Sequence, residues 1–391
     1  AGGAADVPAA SMGAFPGTSA FGDDQPVHVR PGPIAADQTW AACVPYRLRG
    51  DRISIGDGAQ VTVAPGARIE SADAAGILVD GGALRALGEP TRAITFTGVD
   101  AAPGAWGGIR YAANTQRSAN VLEHVVIEHA GGFDWNTSAA ANANLNVTEA
   151  TVRLAVRDSV LRKSAGLGLY VTEAGADVTL EGLRFADNAD GAASVPANRM
   201  GAFAGTSAFA AGQDVLVRGG RVSSDQQWPA CVPYRVRGMI AVRDDALATA
   251  APGARLRFEA EAGVDVDGGR LAARGTPAAP VVFAGTSETP GAWAGLRYRA
   301  DTRSADNVLE HAVVAYGGGF DWNTSSAANA NLNLSEASVR VALRNTTLRG
   351  SAGYGLWVDS PEALIDGCAG LVVEDEPAIG GAYETLTQAC R

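Results

Sequence analysis

Short stretches of alternating apolar and polar residues run along most of the chain, separated by Gly, Pro, Asn or Asp. Apolar and β-branched residues alternate in segments such as Gln60–Val63, Ala67–Glu70, Ile94–Thr97 and Asp177–Leu180. Alternation of this kind is typical of short strands with one buried face. No window shows the 3.6-residue apolar period of a helix, because Gly or Pro interrupts the Ala-rich stretches. The pattern therefore predicts a nearly all-β chain.

The spacing of the predicted strands favours a coil over a sandwich, barrel or propeller. Successive segments resemble rungs, each with two or three strands and a Gly or Asn corner, and one strand is predicted over Val121–Ile127. No hairpin dipeptide joins neighbouring strands in an antiparallel pair. Stacking each rung on the previous one pairs backbone groups between rungs and buries the inward side chains. We expect a solenoid of parallel strands.

One long unit is written twice in this sequence. The segment GGFDWNTSAAANANLN, which begins at Gly131, returns as GGFDWNTSSAANANLN from Gly318. Matching starts with Ala1 against Ala189 and fades near Val372. Self-similarity over a fixed distance is the signature of a repeat architecture. The sequence predicts two tandem copies, 1–188 and 189–376, and a C-terminal tail or cap over 377–391.

Composition and charge exclude some classes of function. The formal net charge of −11 at pH 7 argues against a nucleic-acid partner, because phosphate contacts require a basic surface. No apolar run approaches the roughly 18 residues that a membrane span requires, so no membrane span is expected. The start at AGGAADVP fits a mature N-terminus after signal-peptide removal. We expect an extracellular or bacterial cell-surface location.

Four cysteines divide into two pairs by position. Cys43 and Cys231 are equivalent residues of the two copies, and a continuous coil would hold them too far apart for a disulfide. Cys368 and Cys390 lie 22 residues apart, about one turn of the coil. Their Cα atoms are therefore expected to fall within disulfide range. We predict a Cys368–Cys390 disulfide near the end of the second copy.

A set of motifs follows the predicted rungs of the first copy. They are a Trp–Pro-Tyr segment (Trp40 to Tyr46), a T-V-x-P-G rung (Thr62 to Gly66), a G-G-x-L-x-A-x-G turn (Gly81 to Gly88), an I-x-F-T strand (Ile94 to Thr97), a W-x-G-I strand (Trp106 to Ile109) and an L-x-x-V-x-I-x-x-A-G rung (Leu122 to Gly131). With these motifs the chain resembles, over both copies, the right-handed parallel β-helix proteins of the pectate-lyase-like superfamily, and most closely their secreted or surface-anchored bacterial members. The resemblance implies an all-β, right-handed parallel β-helix. The scaffold carries lyases, hydrolases, adhesins and inert spacers, so function does not follow from it.

Catalytic constellations are weak in this sequence. The clustered Asp residues of polygalacturonase-like sites and a Ca²⁺-binding lyase site are not visible, and no metal or other cofactor is expected. Glu123-His124 recurs as Glu310-His311, but strand alternation directs neighbouring side chains to opposite faces. A packed or half-buried histidine is the favoured interpretation. Glu128-His129 becomes Ala315-Tyr316 in the second copy and is therefore not a shared site.

The most suggestive binding candidates lie in the longest insertion between rungs. Loops on a rigid scaffold often carry binding residues, and an exposed Trp beside Asp and Asn can stack on and hydrogen-bond a sugar. The alternative is that the Trp folds back onto the coil while Asn142, Asn144 and Asn146 satisfy its corners. The ligand-binding candidates are Asp134, Trp135, Asn136, Asp321, Trp322 and Asn323.

Three functional hypotheses follow. The leading one is a non-catalytic extracellular or cell-surface protein with a structural or adhesive role. Its partners would be further copies of itself, stacked head to tail into filaments, because a solenoid must cap or stack its ends. The second hypothesis is a carbohydrate-binding module that recognises surface polysaccharide through the paired FDWNT loops. The third is a polysaccharide lyase or hydrolase.

Overall fold

A computed structural model describes most of the chain as two compact units. Unit 1 comprises Ala1–Val195 and Ala202–Asp214, and unit 2 comprises Pro196–Gly201 and Val215–Arg391. The residues that the structure describes are 3–22, 25–72, 74–112, 120–132, 135, 141–172, 175–204, 206–299, 306–320, 322 and 328–390. The candidates Asp134, Asn136, Asp321 and Asn323 lie outside these residues.

Short strands make up unit 1. Its strands are β1 (Ala5–Pro8), β2 (Val27–Arg30), β3 (Gly32–Ile34), β4 (Gln38–Trp40), β5 (Tyr46–Leu48), β6 (Arg52–Ile55), β7 (Gln60–Val63), β8 (Arg68–Ser71), β9 (Gly76–Val79), β10 (Ala83–Leu87), β11 (Ile94–Gly98), β12 (Ile109–Tyr111), β13 (Val121–Glu123), β14 (Val125–Glu128), β15 (Ala143–Val147), β16 (Arg153–Arg157), β17 (Val160–Arg162), β18 (Leu167–Val171), β19 (Asp177–Glu181), β20 (Arg184–Ala186), β21 (Gly191–Val195), β22 (Phe203–Ala204) and β23 (Ala208–Phe209).

Unit 2 is built in the same way. Its strands are β24 (Val215–Val217), β25 (Gly220–Val222), β26 (Gln226–Trp228), β27 (Tyr234–Val236), β28 (Met239–Val242), β29 (Leu247–Ala250), β30 (Arg255–Phe258), β31 (Gly263–Val266), β32 (Arg270–Arg274), β33 (Val281–Gly285), β34 (Gly295–Tyr298), β35 (Val308–Glu310), β36 (Ala312–Ala315), β37 (Ala330–Leu334), β38 (Arg340–Arg344), β39 (Thr347–Arg349), β40 (Tyr354–Val358), β41 (Leu364–Ile365), β42 (Val372–Val373) and β43 (Ile379–Gly381). Two 3₁₀ helices, Ala9–Ala14 and Ala197–Ala202, and one α-helical turn, α1 (Leu386–Ala389), complete the described elements.

Apart from β1, which pairs with β2, the strands within each unit pair in parallel with the third strand after them until each sheet ends, which is the pattern of a three-sided coil. In unit 1 the three sides are sheet 1A (β1, β2, then every third strand from β5 to β23), sheet 1B (β3 to β21) and sheet 1C (β4 to β22). The corresponding sheets of unit 2 are 2A (β24 to β42), 2B (β25 to β43) and 2C (β26 to β41). The pairing confirms the predicted all-β parallel β-helix.

Inward side chains of successive coils lie over one another and form the core. In sheet 1A, Phe96 pairs with Ile69 on one side and with Ile127 on the other, and Leu161 and Phe185 continue the column. Each of these five side chains is at most 1% exposed. Burying a large apolar side chain contributes roughly 1.5–3 kcal/mol, so such columns dominate the stability of the coil.

The strand predicted over Val121–Ile127 is wrong as a single element. His124 has a φ of 48° and forms a corner between β13 and β14, and His311 does the same in unit 2 with a φ of 45°. A left-handed backbone conformation is uncommon outside glycine, so the apolar pattern did not reveal this corner. The structure also places β15 (Ala143–Val147) inside the Ala- and Asn-rich insertion.

Candidate functional site

Both candidate tryptophans are buried against their own coil. Trp135 is 3% exposed, and Trp322 is 9% exposed. In unit 1 the indole lies over the backbone of Gly76, where an added Cβ would be 2.8 Å from Cη2 of Trp135. The glycine therefore provides the space that this ring occupies. The interpretation in which the Trp folds back onto the coil describes both rings, and neither presents an open face for a sugar.

Arginines of sheets 1B and 2B pack beside these rings. The Cζ atom of Arg110 lies 5.9 Å from the ring centroid of Trp135, and that of Arg297 lies 5.2 Å from the ring of Trp322. Arg297 also donates from Nε to Oγ of Ser335 at 3.1 Å. Burial lowers the pKa of Arg297, although Asp265 opposes that shift. These contacts seal the outer face of the sheet.

Asparagines inside the coil join successive turns in unit 1. The backbone N–H of Ala130 donates to Oδ1 of Asn144, and Nδ2 of Asn144 donates to the carbonyl oxygen of Arg162 at 2.9 Å. Asn188 continues the ladder, donating to the carbonyl of Leu161 at 3.1 Å and to Oε1 of Gln213 at 2.8 Å. Asn144 is fully buried, so its amide replaces water for two backbone groups.

Unit 2 repeats this corner with one substitution. Oδ1 of Asn331 accepts from the N–H of Gly317, and its Nδ2 donates to the carbonyl of Arg349 and to Oδ2 of Asp375. Asp375 accepts from the N–H of Ser351 at 2.7 Å. The ladder is therefore structural in both units, because its amide groups are committed to the coil itself.

A buried polar cluster, which we call the Glu128 cluster, lies on the outer side of sheet 1A. It consists of Thr97, Glu128, His129 and Arg162. Both Nε and Nη2 of Arg162 lie 2.7 Å from Oε2 of Glu128, and Oγ1 of Thr97 donates to Oε1 at 3.3 Å. Nδ1 of His129 is 3.0 Å from Oγ1 of Thr97. A carboxylate, a histidine and a hydroxyl thus meet at one place.

Burial limits the chemistry of this cluster. Thr97 is 1% exposed, and His129 is 4% exposed, so neither reaches a substrate. Burial acts to raise the pKa of Glu128, but the hydrogen bond and charge of Arg162 prevail and hold it below its usual value. Burial lowers the pKa of His129. The cluster is suited to holding neighbouring coils together.

The equivalent surface of unit 2 is an open groove. Pairing places Arg257, Ala284, Ala315 and Arg349 in one outward row across β30, β33, β36 and β39. These residues line a groove of about 440 Å³ together with Arg255, Val282, Val313 and the half-buried Tyr316. Two alanines and a tyrosine stand where unit 1 has Thr97, Glu128 and His129. Two small side chains therefore open the surface that the polar cluster fills in unit 1.

The Glu-His pairs do not form a catalytic dyad. Glu123, His124, Glu310 and His311 are all half-buried, and the described contacts include no hydrogen bond between the members of either pair. Glu310 lies instead 3.9 Å from Nη1 of Arg274. Positive φ values at the two histidines give them the role of corner residues.

Cysteine positions differ between the two pairs. Cys368 and Cys390 form a disulfide with a Cα–Cα distance of 5.7 Å. Cys43 and Cys231 are exposed residues that form no disulfide. Within the described ranges, no three His, Cys, Asp or Glu side chains are arranged to hold a metal ion. No described helix is long and apolar enough to cross a membrane.

Comparison of the chain with known protein families, with curated protein sequences and with solved structures finds no match in any of the three. The assignment of function therefore depends on the geometry alone. Sequence reasoning missed the Glu128 cluster, since its members lie up to 65 residues apart, from Thr97 to Arg162. The groove had one available signal, which was the change of Glu128-His129 to Ala315-Tyr316 between the repeats.

Proposed function

We propose that this chain is a non-catalytic extracellular or cell-surface protein with a structural or adhesive role. The observation that carries the proposal is the use of its polar residues. Asn144, Asn331, Thr97, Glu128 and His129 are buried, and the two asparagines and Glu128 are bonded to neighbouring coils. Side chains that could perform chemistry instead hold the scaffold together.

The disulfide supports the proposed location. Disulfides persist in oxidising compartments, which include the extracellular space and the bacterial cell surface. Cys368 and Cys390 stabilise the C-terminal region of unit 2 by linking β41 and the residues after it to the tail. Membership of the pectate-lyase-like superfamily and an origin by tandem duplication are part of the same proposal, and the sequence motifs and the internal repeat support them.

A degradation screen tests the absence of catalysis. The purified chain would be incubated with acidic and neutral polysaccharides, and new reducing ends and unsaturated uronates would be measured. We expect no product above that of a heat-denatured sample. Release of either product, lost on substitution of a single polar side chain, would contradict the proposal and favour a lyase or hydrolase.

The groove of unit 2 favours a second candidate, binding of acidic surface polysaccharide. Arg255, Arg257 and Arg349 lie around an apolar floor, and Tyr316 presents a partly exposed ring beside Arg349 at 5.9 Å. Aromatic rings pack against the apolar faces of sugars, and arginines pair with carboxylates in a bidentate manner. This groove is therefore a second candidate carbohydrate surface, and binding by the FDWNT loops stays a prediction.

A glycan array with matched variants tests this second candidate. Tyr316→Ala is expected to reduce binding of uronate-containing glycans at least tenfold, because it removes the only aromatic ring that lines the groove described here. Tyr170→Ala in unit 1 is the control, since Tyr170 is also half-buried but lies on sheet 1B. If Tyr316→Ala binds uronate-containing glycans as tightly as the Tyr170→Ala control does, the groove is excluded as the glycan-binding surface.

A further inference from the structure

Two nearly identical segments occur in different surroundings in this chain. GAFPGTSAF, from Gly13 to Phe21, and GAFAGTSAF, from Gly201 to Phe209, differ at one position. In the second segment, Phe203 lies in β22 and Phe209 in β23, and both strands pair with the coil before them. The first segment contains no strand between Phe15 and Phe21. Two segments that differ only by Pro16 in place of Ala204 therefore occur in an undocked and a docked form.

The docked form shows how the segment binds a coil end. Within unit 1, the ring of Phe209 stacks on that of Phe185 with centroids 5.3 Å apart, and Phe203 is 2% exposed. The N–H of Ala208 donates to the carbonyl of Leu183 at 2.7 Å, and the N–H of Ala210 donates to that of Phe185 at 3.0 Å. The segment thus extends sheets 1A and 1C by one strand each.

The undocked form leaves the same rings partly exposed. Phe15 and Phe21 are both half-buried and pack edge to face on each other with centroids 5.8 Å apart. The backbone hydrogen bonds described within this segment are local, such as the one from Ser19 to Pro16. Residues 15–21 therefore carry the apolar groups of a strand pair that they do not form here.

The last described coil of unit 2 resembles the coil end that accepts the docked segment. Val373 pairs with Leu348 as Phe185 pairs with Leu161, and Ile365 pairs with Val341 as Val178 pairs with Leu154. These pairings make β42 the counterpart of β20 and β41 the counterpart of β19.

The apolar surface of β42 is open. Val373, the inward residue of β42, is half-buried, whereas Leu348 before it in the column is buried. Val372, which is 48% exposed and one of two large apolar residues described as exposed, lies on the outer side of the strand. Since β42 is the last strand of sheet 2A, its outer edge is available for a further strand. A smaller side chain at Val373 than at Phe185 leaves room for an incoming ring.

The C-terminal tail occupies the neighbouring edge. Cys390 forms a parallel bridge with Ile365 of β41, whose counterpart in β19 is Val178, whereas β22 pairs two residues further along β19, at Leu180 and Glu181. The turn α1 (Leu386–Ala389) leads into it, with Ala389 2% exposed and the Thr385–Gln388 capping box closing its start. The Cys368–Cys390 disulfide holds the tail there. The tail therefore lies along the edge of β41, which corresponds to β19, the strand that accepts β22 in unit 1.

We propose that residues 15–21 of a second copy dock on β41 and β42. We further propose that the tail, held by the disulfide, blocks this docking surface until the disulfide is reduced. Ala20 and Phe21 would pair with β42, while Phe15 would pair beside the end of β41, from which the tail must first be released. A dithiol supplies the two electrons and two protons that convert the disulfide to two thiols and itself becomes a disulfide. This inference rests on the proposed structural role, because the redox state of the Cys368–Cys390 disulfide would control how the structural protein associates with further copies of itself.

Light scattering during size-exclusion chromatography tests the proposal. The chain would carry Cys43→Ser and Cys231→Ser, which remove the exposed thiols and with them any intermolecular disulfide. We expect the mass of a single chain when oxidised and assemblies of two or more chains with dithiothreitol, with roughly tenfold tighter association. Equal association in both states would overturn the redox gate.

Charge substitutions at the two contacting surfaces distinguish the proposed docking from nonspecific association through exposed apolar residues. Phe21→Asp and Val373→Arg are each expected to keep the reduced protein monomeric, since each removes one half of the contact. A mixture of the two variants should form complexes of two chains, because each retains the half that the other lacks. Val99→Asp, at the other exposed apolar residue, is the control and should associate like the parent. Association by Phe21→Asp alone would contradict the proposed contact.

Hydrogen exchange separates tail release from docking. In reduced Phe21→Asp, the amide of Ile365 should exchange faster than in the oxidised protein, since the tail leaves and nothing replaces it, whereas the amide of Leu364, which donates to Val339 of the preceding coil, should change less. Unchanged exchange would show that the disulfide does not hold the tail. Polysaccharide degradation by the chain would refute the proposed function, whereas these association and exchange results would remain as measured.

Discussion

The outer sides of sheets 1A and 2A have the same backbone and opposite surface chemistry. In unit 1, Thr97 and Glu128 stand between Glu70 and Arg162, and hydrogen bonds from Thr97 and Arg162 to Glu128 close the surface. In unit 2, Ala284 and Ala315 occupy the corresponding positions and leave a groove. The inward columns are apolar in both. Because the inward columns define the coil in both units, outward positions can change from a polar cluster to a groove without a change of fold, and binding surfaces can arise there.

Replacing a buried corner asparagine by Ala should cause the largest loss in the free energy of unfolding, and the loss should be nearly the same in the two units. Asn144→Ala leaves the N–H of Ala130 and the carbonyl of Arg162 without their side-chain partner inside the coil. We expect a loss of roughly 2–5 kcal/mol in the free energy of unfolding. Asn331→Ala, the matched variant of unit 2, should lose a similar amount. Denaturant unfolding measures both, and a loss below about 1 kcal/mol in either would contradict a structural ladder.

Removing the carboxylate of unit 1 should separate the two outer surfaces. Glu128→Ala takes the partner of Arg162 away and leaves Thr97 with one hydrogen bond fewer. Since the Arg162 side chain is 42% exposed, water compensates in part, and we expect a loss of roughly 1–3 kcal/mol. Ala315→Glu in unit 2 is the reciprocal change, and it should fill the groove beside Arg349. Equal stability of Glu128→Ala and the parent would show that the cluster is not stabilising.

One buried group in each unit should change the stability of the protein as the pH falls, and the two changes should have opposite signs. The group in unit 1 is His129. Its pKa is lowered from 6.5 by burial, so the folded state binds its proton less readily than the unfolded state. The stabilisation is therefore complete above pH 6.5 and is lost as the pH falls below that value. His129→Tyr, which introduces the residue of unit 2, should reduce the decrease in Tm between pH 7.5 and 5.5. An unchanged decrease would assign it to other groups, such as His28.

Asp265 of unit 2 should give the smallest effect, with the reverse sign. Burial raises its pKa above 3.8 although Arg299 and Arg297 oppose the shift, so the folded state binds this proton more readily. The destabilisation caused by its charge is therefore relieved as the pH falls towards its raised pKa. Asp265→Asn should stabilise the protein slightly at pH 7 and not at pH 4, as measured by thermal unfolding. A larger gain at pH 4 would contradict the sign.

The fold was predictable because the core pattern is local and repeated. Alternation at Ile94–Thr97 and Asp177–Leu180 directly reports which side chains face inward, and a repeated sequence doubles that evidence. The disulfide pair also followed from the length of one turn. Corners were harder, since the left-handed conformation of His124 follows from contacts between coils.

Side-chain contacts on the outer faces could not be predicted in the same way. Trp135 is buried because Gly76, far away in sequence, leaves space for it on a neighbouring strand. Glu128 is bonded because Arg162 lies on the next coil. Such contacts depend on how many residues each corner adds to its turn, because that number sets which positions of successive turns become neighbours. The alternation of apolar and polar residues does not reveal that number. The polar neighbours of the two tryptophans lie outside the described residues, so their role stays a prediction.

The constant pairing of each strand with the third strand after it has a consequence for folding. Nineteen residues separate Val27 from its partner Tyr46, whereas 34 separate Ile127 from Leu161. The entropy of closing a flexible loop grows with the logarithm of its length, so the longer turn costs only about 0.5 kcal/mol more. Each finished turn presents a complete edge to the next stretch of chain. The coil can therefore grow by one nearest-neighbour step at a time, and a corner can gain residues during evolution with little change in the rate or stability of that step.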